Sequence, residues 1–342
     1  MENTVETGES IEKQSVSIDR RVCVAPMMEW TDRHCRYLHR LYAPHALLYT
    51  EMIVARAIVR GDVRRLLDHD ATEHPVALQL GGCDPKELAA AARIGSSAGY
   101  AEINLNVGCP SDRVKNGSFG ACLMRKPSLV ADCVRSLRAA THLPVTVKCR
   151  TGIDDRDDYE FFAVFADAVA AAGIDALIVH ARSAILGGLS PKQNREIPPL
   201  RYDYVHRLKR ERPELTVILN GGLSDGTQVR AHLDAGVDGV MLGRAAYHRP
   251  ALLAELEQAL LDPSWAVPEP LHILERVVPY ARRCAQRGMR LHSITRHMHG
   301  VMAGREGARS WRRFLSEVAA RPEAAPETLF SALPIINPGL AA

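Results

Sequence analysis

Eight short runs of β-branched and apolar residues recur along the chain: Arg21–Met27, Leu47–Ile53, Pro75–Gly81, Glu102–Gly108, Pro144–Arg150, Ala176–Arg182, Thr216–Gly222 and Gly239–Ala245. Between most of them lie stretches rich in Ala, Leu, Arg and Glu with apolar positions at helical spacing, such as Pro85–Ala98, Pro127–Thr141 and Asp158–Gly173. Strand and helix alternating eight times predicts parallel strands joined by crossover helices and closed into a (β/α)8 TIM barrel, an α/β fold. A doubly wound open sheet is the alternative, but no run is followed by a GxGxxG turn that opens a helix. Asp262–Pro270 carries three prolines and reads as a linker; helical patterns follow to about Ser316. The expected organisation is a flexible tail over 1–20, a barrel over 21–260, a C-terminal all-helical domain over 271–318 and a Pro/Ala-rich tail over 319–342.

With 342 residues, 46% of them hydrophobic and 24% charged, the chain can bury a large core, which excludes disorder as its main state. Apolar stretches such as Ala168–Gly173 fall well short of the ~18–20 residues a membrane helix needs. The first residues are polar, with Glu2, Glu6, Glu9 and Glu12, and lack the basic start and apolar centre of a secretory signal. The expectation is a cytoplasmic monomer without membrane contact. Eight cysteines occur without a Cys-x-x-Cys pair, so they read as reduced thiols and no metal site is expected. His292, His297 and His299 crowd together without nearby carboxylates and are assigned to a basic face.

Net charge changes the picture only when divided. The chain totals +3, but Arg276–Arg313 holds ten Arg and one acid, Glu306, for a net +9 that leaves −6 on the remainder. Such a segment points to a polyanionic partner, nucleic acid above all.

In a barrel of this kind, polar residues at the C-terminal strand ends face the active-site mouth. Those ends offer Pro26, Met27 and Met28; Gln79; Asn106, followed by Gly108-Cys109-Pro110; Lys148; His180; Asn220-Gly221-Gly222; and Gly243-Arg244. Glycines after the seventh strand and Gly-Arg after the eighth suit a phosphate site built from backbone N–H groups. Lys148 stands in an otherwise apolar strand, where a Schiff base with substrate and donation to an electron-rich cofactor ring are both open. Cys109 lies just beyond its strand, where side chains reach substrate. An ordinary thiol, with a pKa of ~8.5, stays mostly protonated at neutral pH and serves as a general acid without tuning; a nucleophile would need a depressed pKa.

These residues resemble a known family, the flavin-dependent tRNA-dihydrouridine synthases. The stretch Asn104–Met124, NLNVGCPSDRVKNGSFGACLM, is similar to their active-site segment. Ala25–Arg36, Leu48–Met52 and Gly188–Leu200 resemble the A subfamily in particular. The resemblance implies FMN at the mouth, held by Pro26, Met27, Met28, Gln79, Lys148, His180, Asn220, Gly221, Gly222, Gly243 and Arg244. It implies NADPH, in preference to NADH, as reductant. Hydride would pass to C6 of a uridine in the tRNA D-loop, at positions 20 and 20a, with Cys109 protonating C5. Asn106 would hold the uracil edge, and Lys192, Arg195, Arg309 and Arg312 would contact tRNA. A barrel reducing free pyrimidines and a tRNA-binding module with an idle redox site are the competing readings; the arginine-rich segment argues against the first, Cys109 and Lys148 against the second.

Overall fold

The computed structural model describes residues 18–111 and 118–336. Residues 1–17 of the expected N-terminal tail, 112–117 in the loop after Ser111 and 337–342 of the C-terminal tail lie outside the described residues.

Each of the eight apolar runs forms a strand: β1 Val22–Val24, β2 Leu47–Tyr49, β4 Val76–Gly81, β5 Glu102–Val107, β6 Val145–Arg150, β7 Ala176–His180, β8 Val217–Asn220 and β9 Gly239–Leu242. A two-residue strand, β3 Ile53–Val54, runs beside the upper end of β4. All pairings are parallel, and β2 bonds both β1 and β4, so the sheet closes into a TIM barrel. Parallel strands covered on both faces need apolar side chains on both, which is why the runs read as nearly continuous hydrophobic segments.

The exceptions to that rule position the site. Register pairs Gln79 with Asn104, Asn104 with Thr146 and Asn106 with Lys148. These residues and Glu102 are buried on β4, β5 and β6. The rest of the interior is filled by Cys23, Leu47, Tyr49, Ala176, Ile178, Ile218 and Met241. The lumen is therefore polar along β4, β5 and β6 and apolar elsewhere below His180 and Asn220 at its mouth.

Proline at the first turn and an aspartate cap start the outer helices where the spacing predicts them. Pro85–Ser97 is capped by Asp84, which accepts from Lys86 N and Glu87 N, and Tyr159–Ala171 is capped by Asp158. The helix Arg33–Tyr42 is unusual because every residue after Arg33 is buried. It lies between the barrel and the C-terminal helices, where Tyr37 stacks on Tyr280 at 3.8 Å. Its two buried arginines are hydrogen-bonded: Arg36 Nε donates to Glu73 at 2.7 Å, and Arg40 donates to the carbonyls of Glu73, Ala43, Pro44 and Pro75.

The C-terminal helices comprise Pro270–Gln286, His292–Thr295 and Ala308–Glu317. Trp311 is fully buried and its Nε1 donates to Met298 O at 2.8 Å. Part of the segment expected as a Pro/Ala-rich tail is packed: the 3-10 helix Pro326–Ala332 buries Leu329 and Ala332, an i, i+3 pair, against Pro270–Gln286. His297, assigned to a basic face, is instead buried, with Nε2 3.0 Å from Asp32. No helix among the described residues is long and apolar enough to cross a membrane.

Closure depends on β1 lying close against β9. A Cβ on Gly239 would fall 2.0 Å from the Arg20 carbonyl oxygen, beside the bond from Val240 N to Arg21 O. Gly239→Ala is expected to destabilise the fold by about 2–3 kcal/mol through overpacking, read as a lowered urea midpoint. Gly187→Ala, with nothing within 4 Å of the added carbon, serves as the reference and is expected to shift stability by less than about 0.5 kcal/mol.

Candidate active site at the barrel mouth

The C-terminal strand ends surround a cavity of about 590 Å³. Pro26, Met27 and Met28 line it after β1, Gln79 on β4, Asn106 and Cys109 on and after β5, and Lys148 on β6. His180 follows from β7, Asn220, Gly221 and Gly222 from β8, and Gly243 and Arg244 from the end of β9. Arg195, in the loop after β7, also reaches the cavity. Lys192 is exposed just before the 3-10 turn Gln193–Arg195 and is not part of the lining. Arg309 and Arg312 lie apart from it, exposed on the face of Ala308–Glu317 opposite the buried Trp311, Phe314 and Leu315.

Lys148 is the electrostatic centre. Its Nζ donates to Asn220 Oδ1 at 2.8 Å, and Asn220 Nδ2 donates to Met241 O at 2.7 Å. Burial, reinforced by the charge of Arg150, pushes the ammonium down to about 7. His180 is driven well below its ordinary value by burial and then by Arg150 and Lys148, which leaves a neutral imidazole.

Arg150 ends its strand run, and the strand-end reading gives it no role. It is buried, its Nε donates to Gly108 O at 2.8 Å, and its Nη1 donates to Ser183 O and Asn194 O at 3.0 Å each. It ties the loop carrying Cys109 to the loop after β7. The signal was present in the period of two, which puts Arg150 on the same strand face as Lys148.

Gly221 and Gly222 have φ of 115° and 72°, a region disfavoured for side chains. A Cβ on Gly221 would meet His180 at 2.7 Å and one on Gly222 would meet Tyr202 Oη at 2.6 Å. Backbone alone can occupy this wall of the cavity. Arg244 opens the short helix Arg244–His248 and donates to Glu196 at 2.6 Å, a partner from the loop after β7 that strand-end reading did not foresee.

Opposite these groups, Cys109 Sγ lies 3.4 Å from Ser111 Oγ. Its backbone N–H and that of Gly108 donate to Asn106 Oδ1 at 3.0 and 3.1 Å. Asn106 Nδ2 in turn donates to Gln79 Oε1 at 2.8 Å. The cavity thus brings together a thiol, three amides, a neutral imidazole and a desolvated amine. Among the described residues, no group of three or more His, Cys, Asp or Glu is arranged to hold a metal.

The depressed Lys148 value has a sign that stability measurements read. Between pH 7 and the unfolded-state value of 10.5, the unfolded chain holds a proton that the native chain lacks. Native stability therefore rises with pH across that window, and the desolvation penalty is largest below it. Lys148→Met is expected to stabilise the apoprotein by on the order of 3 kcal/mol at pH 6, with the gain shrinking as pH rises towards 10, in urea titrations at several pH values.

Comparison with known proteins gives this geometry its context. The family model described as dihydrouridine synthase (Dus) matches residues 23–334. A protein of Xanthomonas campestris pv. campestris named tRNA-dihydrouridine(20/20a) synthase is 57% identical over 305 residues, 89% of this chain and 90% of its own length. Proteins with the same name from Pasteurella multocida and Pseudomonas putida are 50% identical over 316 residues and 53% over 297, covering 92% and 87% of this chain and 96% and 88% of their own. A match spanning the strand ends, the cavity lining and the C-terminal helices together means that the chain belongs to the dihydrouridine synthase family.

Proposed function

We propose that the protein reduces uridine to 5,6-dihydrouridine in the D-loop of tRNA, at positions 20 and 20a, using FMN and NADPH and acting as a cytoplasmic monomer. One observation carries the reading: Cys109 and every residue matched to FMN line a single cavity at the barrel mouth. Bound FMN, reduced by NADPH in preference to NADH, would supply the hydride for C6 of the uracil ring.

The cavity fits that cofactor on its own terms. Gly221 and Gly222 leave a wall of bare backbone beside His180, open to close approach by a phosphate or ring edge. Lys148 and His180 donate to an electron-rich ring, and Asn220 holds the Lys148 amine in place. Pro26, Met27, Met28, Gln79 and Gly243 complete the enclosure, and Arg244 adds a charged donor shared with Glu196. Cys109 gives its thiol proton to C5, while Asn106 donates to a ring carbonyl and so accepts part of the charge that builds there.

A uridine inside folded tRNA reaches the cavity only when flipped out of its stack, at a cost of a few kcal/mol, so the rest of the RNA must be held elsewhere. Arg309, Arg312, Lys192 and Arg195 supply that hold, the first pair from the C-terminal helices and the second from the cavity rim. The +9 of the C-terminal segment is partly spoken for. Arg282, Arg283, Arg287, Arg296 and Arg305 pair with Glu327, Asp70, Asp68, Asp32 and Glu269. Arg276, Arg290, Arg309, Arg312 and Arg313 have no carboxylate partner among the described residues and remain for phosphate.

Purified protein is expected to be yellow, and Cys109→Ala to keep that colour while losing about 10²–10⁴-fold in dihydrouridine formation, scored by mass spectrometry of tRNA nucleosides. Colourless protein that takes up no FMN would overturn the assignment. Raising salt is expected to weaken tRNA binding while leaving flavin reduction by NADPH unchanged. Arg309→Ala and Arg312→Ala should each lower the slope of log affinity against log salt by about 1.

A further inference from the structure

The polar side of the barrel lumen holds one continuous chain of hydrogen bonds, of which the proposed chemistry uses only the upper end, Gln79 and Asn106. It begins on Glu102, fully buried at the first position of β5. Arg20 Nε donates to Glu102 Oε2 at 2.8 Å, and Tyr49 Oη and Thr146 Oγ1 both donate to Oε1, at 2.7 and 2.6 Å. Asn104 Nδ2 donates to Thr146 Oγ1 at 2.9 Å, Gln79 Nε2 to Asn104 Oδ1 at 2.8 Å, and Asn106 Nδ2 to Gln79 Oε1 at 2.8 Å. Asn106 Oδ1 closes the chain by accepting from the N–H groups of Gly108 and Cys109.

The direction of this chain is dictated at both ends. A carboxylate paired with arginine only accepts, so the single Thr146 proton is committed to Glu102 and its oxygen must accept from Asn104. Each amide then has one orientation left. At the other end, backbone N–H groups only donate, so Asn106 must turn its oxygen to them. Both requirements agree, and they leave Asn106 facing the cavity with Nδ2, a donor suited to a ring carbonyl oxygen and unsuited to an exocyclic amine.

We propose that Glu102 is a positioning residue for uridine reduction: from the floor of the barrel it sets the polarity of a relay, through Thr146, Asn104 and Gln79, that fixes Asn106 as a donor and tethers the backbone of Cys109. This rests on the proposed function for what the relay serves, but not for the relay itself. In Glu102→Gln, the amide NH2 faces Thr146, reverses the relay and sets the Asn106 NH2 against two backbone N–H groups. Thr146→Val cuts the relay, whereas Thr146→Ser retains it. Tyr49→Phe removes a bond to the same Glu102 oxygen without touching the relay.

Hydrogen exchange, followed by mass spectrometry on the peptide containing Gly108 and Cys109, reads the tether directly. Exchange is expected to quicken about tenfold in Glu102→Gln and Thr146→Val, and to stay within about twofold of wild type in Thr146→Ser and Tyr49→Phe. The turnover number for dihydrouridine formation should fall with the same pattern while KM for tRNA holds. Unchanged exchange in Thr146→Val, or an equal effect in Tyr49→Phe, overturns the relay. If wild-type protein lacks uridine reduction, the functional reading fails, and the exchange pattern still decides whether Glu102 governs the loop.

Discussion

The ammonium of Lys148 is enclosed within a protein wall and faces an amide oxygen where a carboxylate would ordinarily sit. That arrangement organises the mouth. Asn220 can orient the amine but cannot neutralise it, so its proton is weakly held. Arg150, two residues on, faces carbonyls alone. His180, desolvated by burial and further disfavoured as a cation by Arg150 and Lys148, is kept neutral. Buried positive potential with so little internal compensation suits an electron-rich guest, whose binding would offset a folding penalty.

Sheet closure converts local strand periodicity into that site. Because side chains alternate faces and the parallel ladders lock the register, polar residues on β4, β5 and β6 meet in layers across the lumen. Buried polar groups are tolerable only when all are satisfied, and here the cross-strand pairs satisfy one another. Such a network holds the loop after β5 from within the barrel, while Arg150 holds the same loop from above.

Much of this was legible in the chain. The eight runs became the eight barrel strands, and the residues read at their ends line one cavity, since a strand end is a local feature and barrel geometry does the rest. What stayed hidden was pairing over long separations. Glu102 meets Arg20 from 82 positions away, and Arg283 and Arg287 are drawn to Asp70 and Asp68 across more than two hundred. A charge count over the C-terminal segment treated all ten arginines alike, and only packing divides them into those that dock the helices and those left to solvent. Composition likewise hid the packing of Leu329, because prolines and alanines around it read as a tail while its own burial depends on Pro270–Gln286.

The burial of Arg33–Tyr42 bears on how such a protein can be rebuilt. This helix belongs to the barrel by connectivity, yet one side of it is covered only by the C-terminal helices, with Tyr37 on Tyr280 and His34 hydrogen-bonded to the same ring's hydroxyl at 2.7 Å. The outer layer of the barrel and the C-terminal helices share one hydrophobic cluster. The C-terminal helical layer is thus not an interchangeable cartridge. Grafting it onto another barrel, or lending this barrel a different appendage, would require redesigning the first helix of the recipient as well, so the appendage and the barrel wall it covers are bound to change together.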